Sequence, residues 1–290
     1  MTETTNILED VMAALPELSA HHAPTSAAYR ALKRATRPEA ERLFGPQGPQ
    51  AGSLGSLGAI KFPYHRMGAI DSIDLFGLDE LIIMSFYDLN RARYRKVLDL
   101  GANIGLHAFA LGRCGYEVRC YEPDPVHYKL LQRTIELNGL QTVTPINAAV
   151  SVEAGSAEFV RVLGNTTGSH LAGAKTDPYG ELERFNVKVE ASKPLLHWAD
   201  LAKIDIEGHE ATVLCSTNTA DWEKTDAIAE IGNPPNAEAV FKHFQTIGIG
   251  LFAQKIGWGK VTALKDMPTS HRDGSLFITR RSAVPWRREG

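Results

Sequence analysis

The spacing of apolar positions changes twice along this chain, and each change marks a change of architecture. Over roughly the first 45 residues, Ile7, Val11, Met12 and Leu15, then Tyr29, Leu32 and Leu43, fall at helical spacing. A stretch rich in Gly, Pro and Ser, "GPQGPQAGSLGSLGAIKFP", then reads as a loop running into a short strand. Helical spacing returns over 77–94, "GLDELIIMSFYDLNRARY", with acids early and arginines late, as the helix dipole favours. That helix is apolar enough to need cover from the core or from a second copy of the chain, so a homodimer is one arrangement the pattern allows. Residues 1–95 therefore read as a mainly helical extension and not as an independent domain.

From residue 96 the pattern alternates. Short Val/Ile/Leu-rich strands are expected over 96–100, 117–122, 142–148, 202–206 and 227–231, with helices over 105–114, 125–138, 209–218 and 237–246. Segments 247–253 and 275–280 close the list as an antiparallel pair. Such an alternation predicts an α/β domain over 96–290, with a largely parallel sheet and helices on both faces. Between 151 and 194 the texture turns to β. "SAEFVRVL" and "FNVKVEA" alternate like the two strands of a hairpin around "GNTTGSHLAG", so a β-hairpin insertion is expected where a helix would otherwise stand.

Composition narrows the partners. The chain has 290 residues, 43% apolar and 22% charged, with a net charge of −3 and a pI near 6.4. No basic field marks it for nucleic acid or an acidic membrane. Cys114, Cys120 and Cys215 are scattered and lack metal spacing, as expected for thiols in a reducing compartment. The acidic N-terminus has no basic n-region, and no apolar run approaches the ~20 residues of a membrane span. A cytoplasmic protein is expected.

The chemistry starts at "VLDLGANIGLHAFAL", where a strand breaks into Gly-Ala-Asn-Ile-Gly before a helix. Gly101 and Gly105 let the backbone turn tightly and approach a ligand without a Cβ in the way. Glu122 ends the next strand, 21 residues beyond Gly101, where a carboxylate can accept hydrogen bonds from ribose hydroxyls. A dinucleotide and S-adenosylmethionine both suit that layout. The dinucleotide fingerprint needs a glycine where Asn103 stands and another further on, near Leu106. Asp99 would repel a pyrophosphate but suits an ammonium. S-adenosylmethionine is therefore the expected ligand.

Four motifs in order, "VLDLGANIGLHAFAL", "CYEPDPVHYKLLQRTIELNGL", "INAAVSVEAGSAEF" and "LAKIDIEGHEATVL", resemble those of the FkbM-type S-adenosylmethionine-dependent methyltransferases over about 97–231. The resemblance implies a seven-strand class I methyltransferase (Rossmann-like) sheet and, most often, methylation of a hydroxyl on a sugar or small natural product. It implies that Asp99, Gly101, Ala102, Asn103 and Gly105 line the methionine side, that Glu122 and Pro123 hold the ribose, and that Asn147 and Ala148 flank the adenine. Asp205 then stands next to the methyl group, with Glu207 behind it. Nothing in it bears on residues 1–95.

A hydroxyl acceptor must lose its proton, so a base or a metal is needed nearby. In "KIDIEGHE", Lys203, Asp205 and Glu207 share one face if the strand runs that far. Lys203 with Glu207 is otherwise a structural ion pair. "NTTGSHL" in the insertion offers His170 as a second base. Asp205, Glu207 and Glu230 are oxygen ligands of the kind Mg²⁺ accepts, but no tight acid cluster forces a metal, so Mg²⁺ stays an open alternative that is not favoured. One rival is "IGNPPN", which partly resembles the Asn-Pro-Pro-aromatic turn of enzymes that methylate amino groups of nucleic-acid bases. Asn236 replaces the aromatic, and the turn follows the fifth strand instead of the fourth. A cofactor-binding protein without catalysis is the other rival.

Overall fold

A computed structural model describes residues 6–175 and 180–287. The extension contains α1 (Ile7–Ala14), α2 (Ala27–Phe44) and α3 (Leu78–Leu89), with two short antiparallel pairs between α2 and α3. These are β1 (Ala51–Ser53) with β2 (Ala59–Lys61), and β3 (Arg66–Met67) with β4 (Ile70–Asp71). Helix α3 stops five residues short of the expected end. The Asn90 side chain bonds the Phe86 carbonyl at 2.9 Å and the Pro285 carbonyl at 3.0 Å, which ends the helix against the C-terminal segment.

The main sheet has eight strands: β5 (Lys96–Leu100), β6 (Glu117–Tyr121), β7 (Val143–Ile146), β12 (Leu201–Ile204), β13 (Asp226–Ala229), β14 (Gly250–Ala253), β15 (Gly259–Lys260) and β16 (Leu276–Thr279). Their order is β15-β14-β16-β13-β12-β5-β6-β7. The five strands from β7 to β13 run parallel, and β16 and β14 pair antiparallel, as expected. The expected count of seven is exceeded by β15, a two-residue edge strand that no apolar run announces. Strand order reverses between β5 and β12, so a crevice opens beyond their carboxyl ends.

The third expected strand breaks after Ile146. β8 (Ala149–Ser151) leaves the main sheet and joins β9 (Gly155–Val162), β10 (His170–Leu171) and β11 (Leu182–Ala191) in the order β10-β9-β11-β8. The insertion is thus a four-stranded sheet with its own small apolar cluster of Ala149, Phe159, Leu171, Val187 and Val189, and not a lone hairpin. Its residues 176–179 lie outside the described residues. A short helix, α6 (Ser192–Trp198), begins inside the span read as β.

Period-two alternation divides the sheet's two faces. Leu98, Leu100, Ala202, Ile204 and Ala227 pack under α6, α7 (Glu210–Cys215) and α8 (Pro234–Ile247). Val97, Val118, Leu201, Ile228 and Phe277 face the other way, onto α3, α4 (Leu106–Arg113) and α5 (Pro125–Asn138). The extension is therefore one of the layers the sheet needs. Leu81, Ile82, Met84 and Tyr87 of α3 are fully buried within this chain, so the core itself covers the apolar helix. Polar ties fix the layer: Trp258 donates to His22 at 2.9 Å, and Asp79 accepts from Tyr29 and from Gln254, both at 2.6 Å. Among the described residues no helix is long and apolar enough to cross a membrane.

Candidate functional site

The glycine turn sits where the strand order reverses. Gly101 has φ +82°, and the Gly101 and Ala102 N–H groups both donate to the Tyr121 carbonyl at 3.0 Å. A Cβ on Gly101 would stand 1.7 Å from the Asp205 carbonyl oxygen. At Gly105, φ +97°, it would meet Leu131 at 2.9 Å and Thr134 at 3.2 Å. Both glycines thus make room for the protein itself, Gly101 for β12 and Gly105 for α5, where the sequence suggested room for a ligand.

Glu122 is nearly inaccessible and anchors the next turn. Its carboxylate accepts the Asn103 N–H and the Asp124 N–H, each at 2.8 Å. Burial, reinforced by the charges of Asp124 and Asp99, raises its pKa to about 8 against the pull of those two bonds. Asn147 donates to the carbonyls of Glu122 at 2.8 Å and of Pro123 at 3.1 Å. It holds this turn from outside and is not part of the cleft wall.

A cleft of about 620 Å³, part of it open to solvent, runs past Gly101, Asn103, Glu122, Pro123, Ala148 and Asp205. The β-insertion forms its far wall through Phe159, His170 and Leu171. Polar latches hold that wall down. Arg161 clasps Asp124 through two contacts of 2.6 Å, His127 meets Thr166 at 2.9 Å, and Lys175 pairs with Glu207 at 2.7 Å. His170 is buried there, its Nδ1 3.0 Å from the Gly168 carbonyl oxygen, and burial lowers its pKa.

A smaller chamber of about 340 Å³ lies on the other side of the turn and shares Gly101, Asn103 and Asp205 with the main cleft. Its polar walls are Lys203 on β12, Asp205 just beyond that strand, Glu80 from α3 and His107 from α4. Lys203 donates to Asp205 at 3.2 Å and to the Gly101 carbonyl at 3.3 Å. Burial opposes its charge, but Asp205, Asp99 and Glu80 more than compensate and raise its pKa. The ion pair suggested between Lys203 and Glu207 does not form. β12 ends at Ile204, and Glu207 sits at φ +55°, turned to Lys175. Burial and the neighbouring Asp205 push Glu207 up to about 7. Glu210 is buried and accepts the N–H groups of Ile206 at 2.8 Å and Gly208 at 3.0 Å, closing the loop that presents Asp205.

Asp99 departs most from expectation. It is fully buried, lines neither cavity, and neither oxygen accepts a hydrogen bond. The Cys120 thiol lies against it without hydrogen-bond geometry, and Lys203 stands 3.9 Å away. Its pKa is raised by burial. "IGNPPN" proves to be a helix start: Asn233 caps α8 by accepting the Asn236 N–H at 2.8 Å, and Asn236 donates to the Gly208 carbonyl at 3.0 Å. Among the described residues no group of His, Cys, Asp or Glu is arranged to hold a metal ion.

Sequence reasoning missed Glu80 and His107. Glu80 reads as one of the acids that complement the start of α3, and His107 as part of an apolar helix. Only the docking of α3 against α4 brings His107 Nε2 to 2.6 Å from Glu80. Glu80 also lines a wide outer cleft of about 1490 Å³ between α2, α3 and the 271–275 loop, with Glu230 on its floor.

The chain is 27% identical over 223 residues to methyltransferase sdnD of Sordaria araneosa, a match covering 63% of this chain and 85% of that protein. That relative is a methyltransferase. No family model matches the chain, so the FkbM-type likeness rests on the four motifs. Similar solved structures include an S-adenosylmethionine-dependent methyltransferase from Agrobacterium tumefaciens, with a TM-score of 0.38 at 10% identity, covering 70% of this chain and 62% of that one. The chain thus spans less than two thirds of that protein. An O-methyltransferase from Bacillus cereus in complex with S-adenosylhomocysteine gives 0.36 at 12% identity, covering 67% and 78%. A 16S ribosomal RNA methyltransferase from T. thermophilus gives 0.38 at 15%, covering 77% and 47%.

Proposed function

We propose that this chain is an S-adenosylmethionine-dependent methyltransferase of FkbM type that methylates a hydroxyl on a small molecule, a sugar or natural product, without a metal. One observation carries the reading. The Glu122 carboxylate is clamped by two N–H groups beside a glycine turn, at the point where strand order reverses. The similarity to methyltransferase sdnD supports it. The fit is chemical as well as geometric: Glu122 keeps lone pairs for ribose hydroxyls, and the buried Asn103 Oδ1 has no partner among the described residues.

When bound, the sulfonium supplies an electrophilic methyl group for in-line displacement. The residues of the chain do the rest. The insertion wall, latched by Arg161 and Lys175, keeps water from the main cleft. Asp205 is the residue to which we assign the acceptor's proton. Lys203 occupies its Oδ2 and fixes its direction, leaving Oδ1 to receive a hydroxyl. Glu207 stands behind it, and His170 belongs to the insertion wall on the Glu122 side. A net charge of −3 offers no attraction to nucleic acid, and the free thiols Cys114, Cys120 and Cys215 suit the cytoplasm.

The test is titration calorimetry with S-adenosylhomocysteine, followed by measuring its formation from S-adenosylmethionine in the presence of a panel of methyl glycosides and phenols as acceptors. Wild type should bind the product cofactor. Asp205→Asn should keep that affinity within a few-fold and lose about 10²-fold or more in turnover. Loss of binding and turnover together would place Asp205 in the cofactor site and refute the assignment.

A further inference from the structure

We propose that the inner chamber receives the amino-acid end of the cofactor, with Glu80 of the N-terminal extension holding its ammonium. The proposal rests on the cofactor reading above and assigns a role to a segment outside the recognised motifs.

The chamber continues the main cleft past Gly101, Asn103 and Asp205. A ligand with its ribose at Glu122 can therefore extend its remaining arm past the glycine turn into the chamber. Asp99 cannot meet that arm, because it is sealed behind the turn. Glu80 can, since its side chain retains 34% exposure and lines the chamber. Its direction is fixed by a chain of hydrogen bonds. Tyr116 donates to the Tyr87 carbonyl at 2.6 Å, Tyr87 Oη lies 3.1 Å from His107 Nδ1, and His107 Nε2 lies 2.6 Å from Glu80 Oε2. Tyr87 donating to Nδ1 leaves Nε2–H to donate to Glu80, an arrangement that needs no charge on the ring.

The charges around the chamber favour a cation. Lys203 faces Asp205 at 3.2 Å and Asp99 at 3.9 Å, so its one positive charge is already matched. Glu80 adds another negative charge to the chamber wall.

Three probes separate the alternatives by titration calorimetry: S-adenosylhomocysteine, its analogue with the amino group replaced by hydrogen, and 5′-methylthioadenosine, which lacks the amino-acid arm. Wild type should bind the first at least tenfold more tightly than either of the others. Glu80→Gln should weaken S-adenosylhomocysteine about 10- to 100-fold, the range of a hydrogen bond to a charged group, and leave the other two within about twofold. Equal affinities of the wild type for all three probes would overturn the proposal without any mutant. So would a Glu80→Gln variant that binds S-adenosylhomocysteine normally. If wild type binds 5′-methylthioadenosine but gains nothing from the arm, the cofactor reading stands and the chamber assignment falls. If it binds none of the three, both fall.

Discussion

Glu122 should make nucleoside binding depend on pH. Its carboxyl has a pKa of about 8 in the empty cleft because burial outweighs two N–H bonds. Ribose hydroxyls that donate to it need the anion, so the ligand must draw off a proton wherever the acid is neutral. With a pKa of 8, roughly a tenth of the sites are ionised at pH 7 and about 1% at pH 6, a cost of about 1.4 kcal/mol per pH unit. The probe of choice is 5′-methylthioadenosine, which has no group titrating between pH 6 and 9. Its apparent Kd should fall about tenfold from pH 6 to 7, about fivefold from 7 to 8, and less than twofold above 8. Glu122→Gln should bind weakly and show no such dependence, which separates Glu122 from Glu207 and Glu210, both pushed up to about 7. The sign for stability is the reverse. An acid with a raised pKa stabilises the empty fold at low pH, and that contribution is lost as pH rises through 8. A flat Kd across this range in wild type would refute the reasoning.

Gly101→Val should fail through the fold and not through the cofactor, because its Cβ would fall 1.7 Å from the Asp205 carbonyl oxygen. Circular dichroism should show a loss of more than ~4 kcal/mol of stability or no folding at all, and a wild-type melting curve would sink the packing argument. His22 is buried beside Trp258, and burial lowers its pKa to about 4. A base whose folded pKa is depressed stabilises the fold above its unfolded value near 6.5, and that contribution is lost as pH falls towards 4. Between pH 7 and 5, urea denaturation of wild type should therefore lose about 2 kcal/mol more than that of His22→Asn, and parallel losses would mean the ring is already charged or hydrated.

The sequence by itself determined the elements that depend on local periodicity and turn chemistry. β5 spans 96–100 and α5 spans 125–138 as expected, because alternation and an Asp-Pro helix start are local signals. The glycine turn and Glu122 were legible for the same reason, since a strand, a tight turn and an acid at fixed spacing leave few geometries. What the tertiary structure decided were meetings between distant segments. The acids of α3 look like dipole partners until α3 packs on α4 and brings Glu80 to His107. Asp99 looks like a ligand residue until the layer packed on its face of the sheet seals it, whereas Lys203, its partner on β12, and Asp205, just beyond that strand, reach the chamber. The insertion's alternation announced strands, but not that β8 would leave the main sheet to join them. Period-two spacing fixes which face a side chain takes, and only the pairing of strands fixes what that face meets.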